Sequence, residues 1–207
     1  VNAPRRTQEE RREATRDALL TAAVALIAER GIEAATLADV AERAGVTKGA
    51  LVHHFENKET LLDAALDRVG AHLTQVLTAA WDPTAPPYPR LRKALAALVD
   101  VGEARDREVR ALVALATQGG YDPRLGALVR ARIEALERVF CDGFSLTLAE
   151  LNAQPRVPVE ALARALVASV MGAALRPGEA LADGRDARRL WESAIVAMID
   201  PFVVEAP

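Results

Sequence analysis

Thr36–Lys58, TLADVAERAGVTKGALVHHFENK, is the stretch on which the reading of the whole chain turns. Thr36 is placed to cap a helix, because its hydroxyl can accept a backbone N–H that the first turn leaves unpaired. Leu37, Val40, Ala41 and Ala44 recur at helical spacing and give that helix one apolar face. Gly45 supplies the positive φ of a helix stop. Val46 reads as a buried plug between two helices, and Thr47 as a second cap. The next helix, about Lys48 to Phe55, is too short to be stable in isolation, so Leu51 and Phe55, four apart, must anchor it. Its other side carries Lys48, Gly49, Val52, His53 and His54. Cationic, small and hydrogen-bonding groups together suit the major groove, where an inserted helix meets base edges and flanking phosphates. Two short helices joined by a tight turn in this way form a helix-turn-helix.

Upstream, a helix is expected from about Glu9 to Arg30. Leu19, Ala22, Ala23, Leu26 and Ile27 form its stripe and Gly31 ends it. Packed on Leu37, Val40, Leu51 and Phe55, it makes a three-helix unit. Val1 to Gln8 reads as a disordered tail. Arg5, Arg6, Arg11 and Arg12 are either a solvated cluster or an arm that touches phosphates or the minor groove, and the interleaved Glu9, Glu10 and Glu13 weigh against the arm. Downstream, Asn57 is the expected cap of a long helix from Lys58 to Ala80, with Leu62, Leu66, Val69, Leu73, Val76 and Ala80 as its stripe. The free N–H groups and positive dipole at its start, with Lys58, favour a backbone phosphate.

The run ATLADVAERAGVTKGALVHHFENKETLL (residues 35–62) resembles the N-terminal DNA-binding domain of the TetR (tetracycline-repressor) family of transcriptional regulators. The likeness extends over roughly Thr15 to Leu62. Gly31, the Thr36 cap, Ala44–Thr47 (AGVT), Lys48–Leu51 (KGAL), His53–Phe55 (HHF) and Lys58 all fall at the family's spacing. One position departs: where the family commonly has an aromatic residue, usually tyrosine, this chain has Val52. A tyrosine hydroxyl can bond a phosphate and valine cannot, whereas valine can touch a thymine methyl. The resemblance implies DNA contacts from Thr36, Thr47, Lys48, Gly49, Ala50, Val52, His53, His54 and Lys58. It further implies that residues 59–207 enclose a small-molecule pocket and dimerise, with residues 1–58 as the DNA-binding domain, and that ligand binding lowers DNA affinity.

Composition agrees with an all-α chain. Of 207 residues 51% are apolar, enough for a substantial core, and aromatics are only 4%. Net charge is −3, so a duplex binder of this kind must concentrate its cations locally. The lone Cys141 has no internal disulfide partner, which fits a reducing cytoplasm. No leader pattern and no apolar run of membrane-spanning length is visible, so the expected location is cytoplasmic and no membrane contact is expected.

Beyond Ala80 the expectation is about nine helices in all, with no alternating strand pattern. Trp81–Pro89, with four prolines, reads as a loop. Helices follow at about Arg90–Val101 (Leu91, Leu95 and Leu98 inward, Gly102 interrupting) and Ala104–Thr117. Another should run from Pro123, capped by Asp122, to Leu151, with Leu125, Leu128, Val129, Ile133, Leu136, Phe140 and Phe144 inward and Gly143 as a point of kinking. Val159–Leu175 and Asp186–Ile199 close the chain, separated by a loop over Arg176–Arg185. The last two helices are apolar over a wide arc and rich in small residues, among them Ala168, Ser169, Gly172, Ala173 and Ala194. They either close one chain's core or, as the resemblance implies, pair with their symmetry mates in a homodimer.

No catalytic, metal or cofactor motif stands at convincing spacing. His53 and His54 are adjacent and point about 100° apart on a helix, so they are read as groove or phosphate contacts and not as a chelating pair. His72 reads as a plain polar residue and Cys141 as a small buried hydrophobe. Candidate liners of an effector pocket are Trp81, Tyr88, Thr117, Gln118, Tyr121, Phe140, Phe144 and Met171, each singly as compatible with ordinary core or surface. The scarcity of charge on these stripes points to an apolar effector. The reading is therefore a homodimeric, ligand-responsive repressor of a palindromic operator. An all-helical small-molecule-binding protein or enzyme, in which the helix-turn-helix is a structural or protein-interaction element, is the alternative.

Overall fold

The first helix, α1 (Gln8–Arg30), opens on a capping box. The Thr7 hydroxyl accepts from the Glu10 N–H, and the Glu10 carboxylate accepts from the Thr7 N–H. That reciprocal pair brings Gln8 into the helix, where the sequence reading had placed it in a tail. The computed structural model describes residues 7–103, 106–118, 122–155, 157–174 and 203–205. Gly31 ends α1 at φ 84°, and its N–H donates to the Ile27 carbonyl.

Two short helices follow. α2 (Leu37–Arg43) is capped by Thr36, which accepts from the Asp39 N–H at 3.2 Å. Gly45 stands at φ 69°, the positive value its place in the turn demands. α3 (Lys48–Val52) is capped by Thr47, which accepts from the Ala50 N–H at 3.1 Å. It has five residues, not the eight expected. Asn57 is already committed as the next cap, so the chain must turn between His53 and Glu56, and the helix gives way there. Val46 is half-buried and not the fully buried plug expected.

α4 (Lys58–Ala80) begins at a second capping box, Asn57 with Thr60. It buries Leu61, Leu62, Ala65, Leu66, Val69, Leu73 and Leu77, while Val76 and Ala80 are only half-buried. The buried face is wider than the expected stripe because α4 is packed by α1 and by three later helices. These are α5 (Pro87–Glu103), α6 (Arg107–Gln118) and α7 (Pro123–Glu150). α5 starts inside the predicted loop. Pro87 and Pro89 occupy its first turn, where the missing N–H removes no helical bond. It also runs on through Gly102 without a break. α7 is capped by Asp122 with Pro123 at its first position, as expected, but Leu128 is exposed.

α8 (Val159–Ala174) packs on α5, α6 and α7. Before it, Asn152 at φ 50° turns the chain into β1 (Ala153–Pro155), which pairs antiparallel with β2 (Val203–Glu205). That ribbon was not expected; three residues are too few to display alternation. The all-α class otherwise holds, with eight helices among the described residues. The expected loop over Arg176–Arg185 and the expected helix Asp186–Ile199 lie outside them. One connected apolar core runs from Leu19 on α1 through α4 to Val170 on α8.

Candidate functional site

The side chains expected to meet a duplex stand on or beside three capped helix starts. Thr36, Thr47 and Asn57 cap α2, α3 and α4. Thr36, Thr47, Lys48, Gly49 and His53 are exposed; Ala50, His54 and Lys58 are half-buried. Val52 is 47% exposed, a large apolar side chain turned to water. Behind this face Leu51 is fully buried and Phe55 is 3% exposed. The Arg16 guanidinium lies over the Phe55 ring, 5.4 Å from its centroid. Glu29 at the end of α1 receives both Nη atoms of Arg43 at 2.6 Å, which fixes the far end of α2. Arg43 holds the Glu29 carboxyl below its ordinary value.

His54 borders an open groove shared with Gln8, Glu9, Arg11, Arg12 and Thr15 at the start of α1. Burial, then Arg12, Arg16 and His53, holds its imidazole below the ordinary value of 6.5. The groove thus brings His54, just after α3, together with two cations, Arg11 and Arg12, and one carboxylate, Glu9. Arg5 and Arg6 lie outside the described residues. Arg16 was not singled out in the sequence; its role follows from a ring contact between residues far apart in the chain.

A link joins this unit to the rest of the protein. Gln118, at the end of α6, accepts the Ile32 N–H through its Oε1 at 2.7 Å. The same amide fills the space over Gly31, where an added Cβ would stand 2.6 Å from its Nε2. Gln118, expected to line an effector pocket, therefore touches the α1–α2 junction instead. The physical reason is its position at the last residue of α6, beyond the bundle interior.

Between α4, α5 and α7 lies a cavity of about 230 Å³ lined by Leu77, Thr78, Trp81, Leu91, Ala94, Leu95, Val139, Phe140, Asp142, Gly143, Phe144 and Leu146. Trp81, Phe140 and Phe144 were expected there. Met171 instead lines a smaller neighbouring space of about 30 Å³, shared with Leu77 and Phe140. Tyr88 and Thr117 are exposed and do not line the cavity, since each faces outward on its helix. Tyr121 lies outside the described residues. At Gly143 an added Cβ would stand 3.0 Å from the Trp81 ring, so the glycine admits that ring. Arg90, 3% exposed, lies 4.8 Å from the centroid of the Trp81 ring that lines the cavity. Its Nη2 donates to Glu150, while its Nε is buried without a partner.

Cys141 is half-buried against the core. Burial, then Glu160, Asp142 and Glu137, pushes its thiol above its ordinary value, which favours the unreactive form. His72 is not merely polar: its Nε2 lies 3.2 Å from Asp106 Oδ2.

Comparison with known proteins agrees with this geometry. Residues 19–65 match the family described as bacterial regulatory proteins, tetR family. The chain is 32% identical over 199 residues to the HTH-type transcriptional regulator BetI of Burkholderia mallei, covering 93% of this chain and 97% of that protein. It is 51% identical over 63 residues to the HTH-type transcriptional regulator TtgR of Pseudomonas putida, 30% of each chain. A solved transcriptional regulator of Rhodococcus sp. Rha1 superposes with TM-score 0.71 at 26% identity, covering 93% of this chain and 99% of that one. AibR, solved in complex with isovaleryl coenzyme A and operator DNA, has the same fold, with TM-score 0.68, 22% identity and coverage of 91% and 99%.

Proposed function

This chain belongs to the tetR family of bacterial regulatory proteins, and from that premise we propose how it recognises DNA and what releases it. It is a DNA-binding transcriptional regulator and not an enzyme. The observation that carries the proposal is the two-sidedness of α3 and the turn that follows it: Leu51 and Phe55 are buried in the core while Lys48, Gly49, Val52 and His53 face solvent. α3 enters the major groove. Thr36, Thr47, Ala50, His54 and Lys58 surround it, with Lys58 and the start of α4 on a backbone phosphate. Residues 1–58 form the DNA-binding domain, and residues 59–207 form the effector-binding and dimerisation domain.

The regulator acts as a homodimer on a palindromic operator, as a cytoplasmic repressor. A dimer holds two reading helices roughly 34–36 Å apart, one turn of the duplex. The exposed side of α8, with Ala161, Ala168 and Gly172, supports pairing through the last two helices, because small residues admit close approach. The effector is a small apolar molecule in the cavity between α4, α5 and α7. The wall is almost wholly apolar, with Asp142 as its charged member. By lodging against Leu77 and Trp81 at the end of α4, it changes the separation of the reading helices. It releases DNA only as far as it binds the DNA-incompetent state more tightly, so DNA and effector antagonise each other reciprocally.

The test is fluorescence anisotropy with palindromic fragments from the neighbourhood of the gene, over a salt series. Affinity should fall linearly on logarithmic axes, and Lys58→Ala should weaken all fragments alike and flatten the slope by about 1. Failure to bind any such fragment at low salt overturns the reading.

A further inference from the structure

We propose that His72, Asp106 and Glu108 form a binding site for a divalent first-row transition-metal ion, joining the middle of α4 to the start of α6. One ligand atom from each residue lies within 4.8 Å of the other two. His72 Nε2 and Asp106 Oδ2 are 3.2 Å apart. Ligand bonds of about 2.0–2.2 Å place two donors of one ion roughly 3–3.5 Å apart at tetrahedral or octahedral angles. The pair already has that separation, so an ion requires movement chiefly of the Glu108 side chain.

The carboxylate of Asp106 is oriented before any ion arrives. Its Oδ1 accepts from the N–H groups of Glu108 and Val109, at 2.9 and 3.1 Å, and so caps α6. That commitment turns Oδ2 toward His72, as an outer hydrogen bond orients a metal ligand. Glu108 lies in the first turn of α6, and its carboxylate joins no ion pair among the described residues. Within the cluster His72 is the sole group able to carry positive charge, against two carboxylates. All three side chains are half-buried, shielded enough to hold an ion and open enough to admit one. One imidazole with two carboxylates leaves positions for water and suits zinc, cobalt, nickel or manganese. Calcium and magnesium favour all-oxygen shells. The two helices bridged here both pack on α1, so an ion would tie together two supports of the helix-turn-helix unit.

The site rests on its own geometry, and its test needs no operator. The full chain, freed of metal with a chelator, is titrated with Co²⁺ followed by visible absorption and with Zn²⁺ followed by calorimetry. The expected result is one ion per chain, with Zn²⁺ displacing Co²⁺. Glu108→Gln, which leaves the α6 cap intact, and His72→Gln should each weaken binding by about tenfold or more. Glu108→Gln alone decides the matter if His72→Gln fails to fold. No binding by the unaltered chain in excess metal overturns the proposal. So does binding that Glu108→Gln leaves undiminished, which would place the ion elsewhere.

Discussion

At the α3 end the polar groups stand in water: Lys48 and His53 are exposed, and Val52 beside them is an apolar side chain left uncovered. Around the cavity the arrangement inverts. Arg90 is enclosed, set over the Trp81 ring and tied to Glu150, while the cavity that Trp81 helps to line is walled almost wholly by apolar groups. The first surface, the one proposed to meet DNA, bears no desolvation cost in the free protein. The second region has met that cost on folding, and its charge is part of the scaffold. The same kind of group thus stands free for a partner in one place and is part of the architecture in the other, and solvent access separates the two.

The comparison can be broken most forcefully from behind each surface. Phe55→Ala should cost about 3–5 kcal/mol, because a fully buried aromatic leaves a cavity the core refills only in part. A thermal or urea melt that barely moves would show that α3 is not propped from beneath. Glu150→Ala strands the enclosed Arg90 charge and should cost about 3 kcal/mol, the lower end of the penalty for breaking a buried pair, since Glu150 itself is partly exposed. An exposed salt bridge would give no more than about 1 kcal/mol in the same melt. The two variants should differ in kind as well: Glu150→Ala should spare operator affinity at temperatures where the protein stays folded.

Val52→Tyr sharpens the contrast on the outer face. A new hydroxyl at an exposed position able to reach a phosphate should tighten operator binding by about 1 kcal/mol and leave the melt unchanged. Anisotropy titrations showing no gain would mean that residue 52 faces bases and not backbone. The smallest effect concerns His54. Its folded value lies below the ordinary 6.5 that applies to the unfolded chain. Above that pH the imidazole is neutral in both states and contributes nothing. As pH falls through 6.5, the unfolded chain takes up the proton first, so the folded state loses stability until pH drops past the folded value. Urea midpoints should therefore decline on acidification below about pH 6.5, and His54→Asn should flatten that decline.

The reading unit was legible because its signals are local. Thr36, Thr47 and Asn57 act on backbone groups three residues away, and Gly31 and Gly45 stand where the chain must adopt positive φ. Helical periodicity likewise disclosed most of the α7 stripe. It failed where proline was taken only as a breaker: Pro87 and Pro89 lie within the first turn, the one part of a helix that tolerates them. Of the cavity, only its aromatic members were found in advance. Leu91 and Leu95 were recognised as inward-facing but not as cavity wall, because periodicity marks a face without saying whether the space before it is filled.

From the order of residues alone came the class of fold, the capped helix-turn-helix and the family to which the chain belongs. The first two depend on interactions within one helical turn or on a pattern that repeats along one helix, and the third on the resemblance of residues 15–62 to that family's motif. Tertiary structure decided the rest: that Gln118 meets Ile32 across 86 positions, that Gly143 makes way for Trp81, and that His72 comes to stand beside Asp106. Such meetings depend on which helices share the core and at what rotation. That is a property of packing between elements, to which no local spacing rule has access.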